Sequence, residues 1–192
     1  VEKIITQCFH TSAEIKRQLA DVLAPDIARG AQILINALNA GRHVLACGNG
    51  GSACDAQHLA AELVNRFETE RRALPAMALT TDSAILTSVA NDLSYLDIFS
   101  RQIQAWGGRD DVLVAISTSG KSPNVLRAVS VARERDMRVI ALSGRDGGDF
   151  PGLLSDHDVE VRVVADQTAR IQEVHLLVIH CFCTIIDEHF KN

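Results

Sequence analysis

Apolar residues recur at three- and four-residue intervals through the first forty positions. Ile4, Ile5, Cys8, Phe9, Ile15, Leu19, Val22 and Leu23 share one side of a helical projection, so the opening segment predicts an amphipathic helix. Pro25 is expected to break it, because proline lacks a backbone N–H and its ring clashes with the preceding turn. A second helix is expected over 26–40, stopped by Gly41. Residues 1–40 carry no catalytic pattern. Their long apolar stripe predicts packing against partner chains.

The period then changes. His43-Val44-Leu45-Ala46-Cys47, Ala76-Met77-Ala78-Leu79, Val112-Leu113-Val114-Ala115-Ile116 and Val139-Ile140-Ala141-Leu142 are short unbroken apolar runs, as in parallel strands covered on both faces. Helical patterns follow them over 52–66, 82–91, 96–106 and 122–135. Val159-Glu160-Val161-Arg162-Val163 alternates instead, as an edge strand does. Repeated β-loop-α units predict a three-layer α/β/α sandwich on a five-stranded parallel sheet, preceded by N-terminal helices. The last segment, 168–189, is helical and apolar nearly all round, which requires burial on most sides. The whole chain, 1–192, reads as a single domain: helices for oligomerisation over 1–40, then an α/β core over 41–192.

Charge narrows the function classes. Nineteen basic against twenty-four acidic residues give a net charge of −5. That balance opposes a general nucleic-acid or anionic-membrane binder but leaves anionic small substrates open, since backbone amides at a helix N-terminus can hold a phosphate. The five cysteines (Cys8, Cys47, Cys54, Cys181 and Cys183) show neither a disulfide framework nor a CxxC zinc pair, and are expected to be buried reduced thiols. The longest apolar run, 176–186, is too short to span a bilayer, and the N-terminus is polar and amphipathic, unlike a signal peptide. These features predict a cytoplasmic protein.

Two strand ends carry unusual loops. The first strand runs into Gly48-Asn49-Gly50-Gly51-Ser52, the third into Ser117-Thr118-Ser119-Gly120-Lys121-Ser122, and each loop enters a helix. Free N–H groups, glycines and hydroxyls at such a junction suit a phosphate, although tight turns with helix caps use the same residues. Two nucleotide motifs fail. The glycine loop lacks the acidic residue about 20 positions on that a dinucleotide site needs, and the serine loop lacks the first glycine of a P-loop. No nucleotide cofactor is expected. On the helix after the glycine loop, His58 and Glu62 are four apart and share a face, which suits an ordinary helix contact, a metal site or a proton-transfer pair. Gln172 and His180 interrupt the apolar terminal helix about 80° apart and could border one cleft.

Taken together, Cys47-Gly48-Asn49-Gly50-Gly51-Ser52, Asp55-Ala56-Gln57-His58 with Glu62, Ala90-Asn91-Asp92, Ile116-Ser117-Thr118-Ser119-Gly120 with Ser122, and Ala169-Arg170-Ile171-Gln172-Glu173 resemble the phosphoheptose isomerases, sugar-isomerase (SIS) domain proteins of lipopolysaccharide precursor synthesis. The resemblance covers nearly the whole chain. It implies an SIS fold and the interconversion of a ketose phosphate, sedoheptulose 7-phosphate, with its aldose, D-glycero-D-manno-heptose 7-phosphate, through an enediol. It implies Glu62 and His180 as catalytic groups. Substrate contacts would come from Asn49, Gly50, Gly51, Ser52, Glu62, Asn91, Asp92, Ser117, Thr118, Ser119, Ser122 and Gln172. It also implies one zinc ion per subunit on His58, Glu62, Gln172 and His180, and a homotetramer. A sister group of SIS adaptors binds the replication initiator DnaA without isomerase chemistry. Members of that group lack proton-transfer residues at the positions of Glu62 and His180, whereas this chain has both. The adaptor, or an SIS protein for another phosphosugar, remains the alternative. Ala169 stands where some isomerases carry an acidic residue. Lys121 adds a cation to the serine loop, either for the phosphate or for solvent.

Overall fold

The computed structural model describes residues 1–191. Its elements are α1 (Glu2–Asn39), β1 (Val44–Gly48), α2 (Gly51–Val64), β2 (Ala76–Ala78), α3 (Ser83–Asp92), α4 (Ser100–Trp106), β3 (Val112–Ser117), α5 (Pro123–Glu134), β4 (Arg138–Gly144), β5 (Val159–Val163) and α6 (Thr168–Phe190), with short 3-10 turns at Tyr95–Asp97 and Phe150–Gly152. The five strands form one parallel sheet in the order β2-β1-β3-β4-β5. The predicted α/β/α architecture is present, with β5 at an edge as its alternation requires.

Alternation along each strand divides the interior into two cores. Val44, Ala46, Val112, Val114, Ile116, Ile140 and Leu142 face α1, α2 and α6. Leu45, Cys47, Leu113, Ala115, Val139 and Ala141 face α3, α4 and α5. Burial on both sides is why these strands read as unbroken apolar runs. On β5 only Val159, Val161 and Val163 enter a core.

Several expectations need correction. Pro25 does not break the first helix: α1 runs through it for 38 residues. An interior proline costs about 3 kcal/mol. Leu19 and Leu23 before it, and Leu34 and Leu38 after it, belong to one buried stripe, and each such side chain contributes about 1.5–3 kcal/mol when buried. Continuity of the stripe outweighs the lost hydrogen bond. The helix expected over 96–106 is split, because the Ser94 hydroxyl accepts from Leu96 N–H and caps a separate turn. The cysteines are all free, but only Cys47 and Cys183 are buried; Cys8 and Cys54 are exposed. The terminal helix is covered by its own chain on one side, so its expected burial on most sides falls to partner chains. α6 is long and apolar enough to pass as a membrane span by length and composition. Its buried side packs on α1, α2 and the sheet, while Leu176, Leu177 and Ile185 stay exposed.

Candidate active site

The strand order reverses direction between β1 and β3. In an open parallel sheet, ligands bind outside the carboxyl ends of the strands at such a switch point. Both unusual loops lie there, because β1 and β3 are direct neighbours and Gly48, the last residue of β1, is in register with Ile116, one residue before the end of β3.

The two loops are tied by a reciprocal amide pair. Asn49 Nδ2 donates to Asn124 Oδ1 at 2.9 Å, and Asn124 Nδ2 donates to Asn49 Oδ1 at 2.9 Å. Tyr95 Oη also donates to Asn49 Oδ1, at 3.2 Å. In the serine loop, Ser117 Oγ donates to Ser122 Oγ at 2.9 Å and Lys121 N–H donates to Ser119 Oγ at 3.2 Å, at the entrance of α5. These hydroxyls and the Asn124 N–H at the start of α5 can receive an anion, whereas Pro123 has no N–H and those of Val125 and Leu126 bond the Ser122 carbonyl at 3.0 Å. Lys121 pairs with Asp146 at 3.6 Å, both side chains being largely exposed. Gly120 holds a left-handed φ of +63°, and its Cα lies against the backbone of Gly147 and Gly148.

The proton-transfer candidates lie along the seam between α2 and α6. At its start Gly51 packs directly on the Gln172 carboxamide: a Cβ on Gly51 would stand 2.4 Å from Gln172 Nε2. Further along, His58 Nε2 and His180 Nε2 are 3.0 Å apart, and Glu62 Oε1 is 3.8 Å from His58 Nε2. Phe67 stacks on the His180 ring at 5.5 Å between centroids. Asp55, one turn before His58, has a buried Oδ2 with no hydrogen-bond partner. Burial pushes its pKa up to about 6, against the pull of His58. Burial also pushes the Cys183 thiol up to about 12, aided by the charges of Glu62 and Asp187, so it stays protonated at neutral pH.

The sequence-predicted residues therefore form two groups, one at the carboxyl ends of the strands and one along the helices that run back from them. Asn49, Gly50, Gly51, Ser52, Ser117, Thr118, Ser119 and Ser122 line the strand ends. His58, Glu62, Gln172 and His180 line the seam. Asn91 and Asp92, the last residues of α3, hydrogen-bond to each other at 2.8 Å and are exposed. Sequence reasoning missed Asn124 and Tyr95. An asparagine in the first turn of a helix looks like a cap, and nothing local links either residue to Asn49.

The seam brings together donors of the kind that hold zinc. Nitrogen ligands sit about 2.0–2.1 Å from tetrahedral zinc, which puts two of them about 3.3 Å apart. The observed 3.0 Å between His58 and His180 is close to this. Two imidazoles, one carboxylate and one carboxamide are donors that suit zinc. Among the described residues, no three His, Cys, Asp or Glu side chains already gather as a metal centre. The fit rests on the donor types and on the His58–His180 spacing, since Glu62 approaches only His58.

A family model for the SIS domain matches residues 7–144. A phosphoheptose isomerase of Alkalilimnicola ehrlichii is 57% identical over 185 residues, covering 96% of this chain and 94% of its own. The chain belongs to the phosphoheptose isomerase family of SIS-domain proteins. Solved phosphoheptose isomerases agree. That of Neisseria gonorrhoeae superposes with a TM-score of 0.92 at 45% identity, covering 97% of this chain and 98% of its own. That of Francisella tularensis gives 0.94 at 44% identity, covering 97% of each. Family membership places the two loops and the α2–α6 seam in the context of an aldose–ketose isomerase.

Proposed function

We propose that this chain converts sedoheptulose 7-phosphate into D-glycero-D-manno-heptose 7-phosphate, with Glu62 and His180 as its acid–base pair. The observation that carries the assignment is their position. They lie on two different helices, are joined through His58, and face one seam that begins beside the glycine loop. Names shared by relatives 57% identical over nearly the whole chain support the same activity and do not favour the initiator-binding adaptor.

Isomerisation moves one proton from carbon to carbon and another between oxygens through an enediol, so it needs two proton-handling groups on one substrate. Ser117, Ser119, Ser122 and the start of α5 hold the phosphate, and Thr118 borders the same turn. Anchoring that end directs the sugar chain past Asn49, Gly50, Gly51 and Ser52 towards the seam. Orientation of this kind supplies much of the rate. Gln172 fixes the hydroxyl-bearing carbons, and Asn91 with Asp92 contact the substrate from the end of α3. Of Glu62 and His180, one carries the proton between carbons and the other serves the oxygens. His58, Glu62, Gln172 and His180 would hold a single zinc ion, which when bound supplies Lewis-acid polarisation of the carbonyl.

The same reading makes the chain a cytoplasmic homotetramer. Ile4, Ile5 and Phe9 on α1 are more than half exposed. A groove of about 330 Å³ between α1 and α6 is lined by apolar side chains, including Leu19, Leu23, Ile27, Leu177 and Ile185. Exposed apolar surface of this extent suits burial against further copies of the chain. The test is turnover of sedoheptulose 7-phosphate by wild type, Glu62→Gln and His180→Gln, each with and without added zinc. Strong loss of turnover in both variants, in an intact assembly, is expected. Near-wild-type turnover by either would remove that residue from the mechanism.

A further inference from the structure

One buried ion pair, far in sequence from the glycine and serine loops, joins the two helices that carry the acid–base pair. The Arg71 side chain is wholly buried, and its Nε donates to Asp187 Oδ1 at 2.8 Å. Its Nη2 donates to the carbonyl of Glu62 itself at 2.7 Å, and its Nη1 donates to the carbonyls of Leu63 and Arg72, each at 3.0 Å. Glu62 and Leu63 lie in the last turn of α2, where carbonyls have no partner within the helix. A guanidinium there satisfies two of them and opposes the negative end of the helix dipole. The other carboxylate oxygen, Asp187 Oδ2, accepts from the N–H groups of Glu68 at 2.8 Å and Thr69 at 2.9 Å. Asp187 follows His180 by seven residues, two turns along the same face of α6. The segment between α2 and β2 also supplies Phe67, which stacks on His180.

From this geometry we infer that Arg71 and Asp187 are positioning residues, whose ion pair sets the spacing of Glu62 and His180 across the α2–α6 seam. The inference rests on the acid–base reading given above. Stability alone is a poor reason for such a pair. Burying two charges costs several kcal/mol, and apolar replacements of similar volume are often as stable or more so. A planar fork that bonds the Glu62 carbonyl and α6 at once fixes a distance, which an apolar contact does not. The pair touches neither the serine loop nor Asn49, so it governs the reacting end of the substrate and not the phosphate end.

The test compares wild type, Asp187→Asn, and the doubly apolar variant Arg71→Met with Asp187→Leu, each assayed well below its own melting temperature. The expected result is a fall in kcat of tenfold to a hundredfold, in line with the penalty for a displacement of about 1 Å at reacting groups. KM and the inhibition constant of inorganic phosphate should stay within about threefold of wild type. The doubly apolar variant separates the two roles. If its melting temperature matches or exceeds that of wild type while kcat stays low, the pair positions the site. If either folded variant keeps wild-type kcat, the pair only stabilises the fold and the inference is overturned. Should neither variant fold, the pair is a requirement of folding, which also overturns it. Absence of turnover in wild type is a separate outcome, because it removes the acid–base reading first.

Discussion

Replacing Gly120 with alanine isolates the backbone of the phosphate cradle from its hydroxyls. Alanine at φ +63° carries a left-handed penalty of about 1–2 kcal/mol. Its Cβ would lie 1.9 Å from the Gly147 carbonyl oxygen, 2.4 Å from the Gly147 carbonyl carbon and 2.9 Å from Gly148 N. These are backbone atoms, so no rotamer change relieves the overlap, and the two loops must part by about 1 Å. That movement strains the 3.0 Å bond from Asp149 N–H to Gly120 C=O, worth about 1 kcal/mol. The sum predicts destabilisation of about 2–3 kcal/mol. Displacement of Ser119 and Ser122 by a similar distance predicts a loss of about a hundredfold in kcat/KM. Urea unfolding and initial-rate kinetics on the same preparation read both quantities. A variant within about 0.5 kcal/mol of wild-type stability and threefold of wild-type kcat/KM would refute this account of the loop.

Gly51→Ala should do the opposite to stability. Gly51 opens α2 without a left-handed φ, so alanine favours the helix by up to about 1 kcal/mol, yet its Cβ displaces the movable Gln172 carboxamide. A weaker KM with an unchanged or higher melting temperature is expected, and unchanged KM would remove Gln172 from the substrate site. Asn124→Ala leaves the Asn49 amide short of two hydrogen bonds, at a cost of about 1–3 kcal/mol; urea unfolding should show that cost together with a raised KM, and an unchanged midpoint would refute the tie. Burial pushes His175 down from 6.5 to about 4, against its bond with the Ser143 carbonyl. The folded state thus favours neutral His175, and the stability this gives is complete above pH 6.5 and lost as pH falls towards 4. At fixed protein concentration, wild type should lose roughly 3 kcal/mol more than His175→Gln between pH 7 and pH 4. Parallel profiles would contradict this.

Most of the sheet was legible because each inner strand is buried on both faces and reads as an apolar run bounded by turns. The edge position of β5 was legible from Glu160 and Arg162, which alternate with its buried valines. The continuity of α1 was not, because the penalty at Pro25 is local whereas the stripe that offsets it is completed only by α6. Within the site, His58 and Glu62 could be paired from their spacing of four. The approach of His58 to His180 depends on two helices 122 positions apart meeting in parallel, which no local pattern encodes. For the same reason nothing local ties Asn124 to Asn49, or Arg71 to Asp187, which lie 75 and 116 positions apart. Lys121, a cation whose sequence context suits either phosphate or solvent, faces Asp146 in the structure.

The central claim is that this chain isomerises a phosphorylated heptose by moving a proton through its own side chains. The most direct measurement follows sedoheptulose 7-phosphate by proton NMR in deuterated water with the purified wild-type protein. The account predicts signals of the aldose heptose phosphate, with solvent deuterium at C2 to the extent that the carried proton exchanges on the enzyme. Lack of conversion by folded protein, or conversion at the wild-type rate by both Glu62→Gln and His180→Gln, would contradict it.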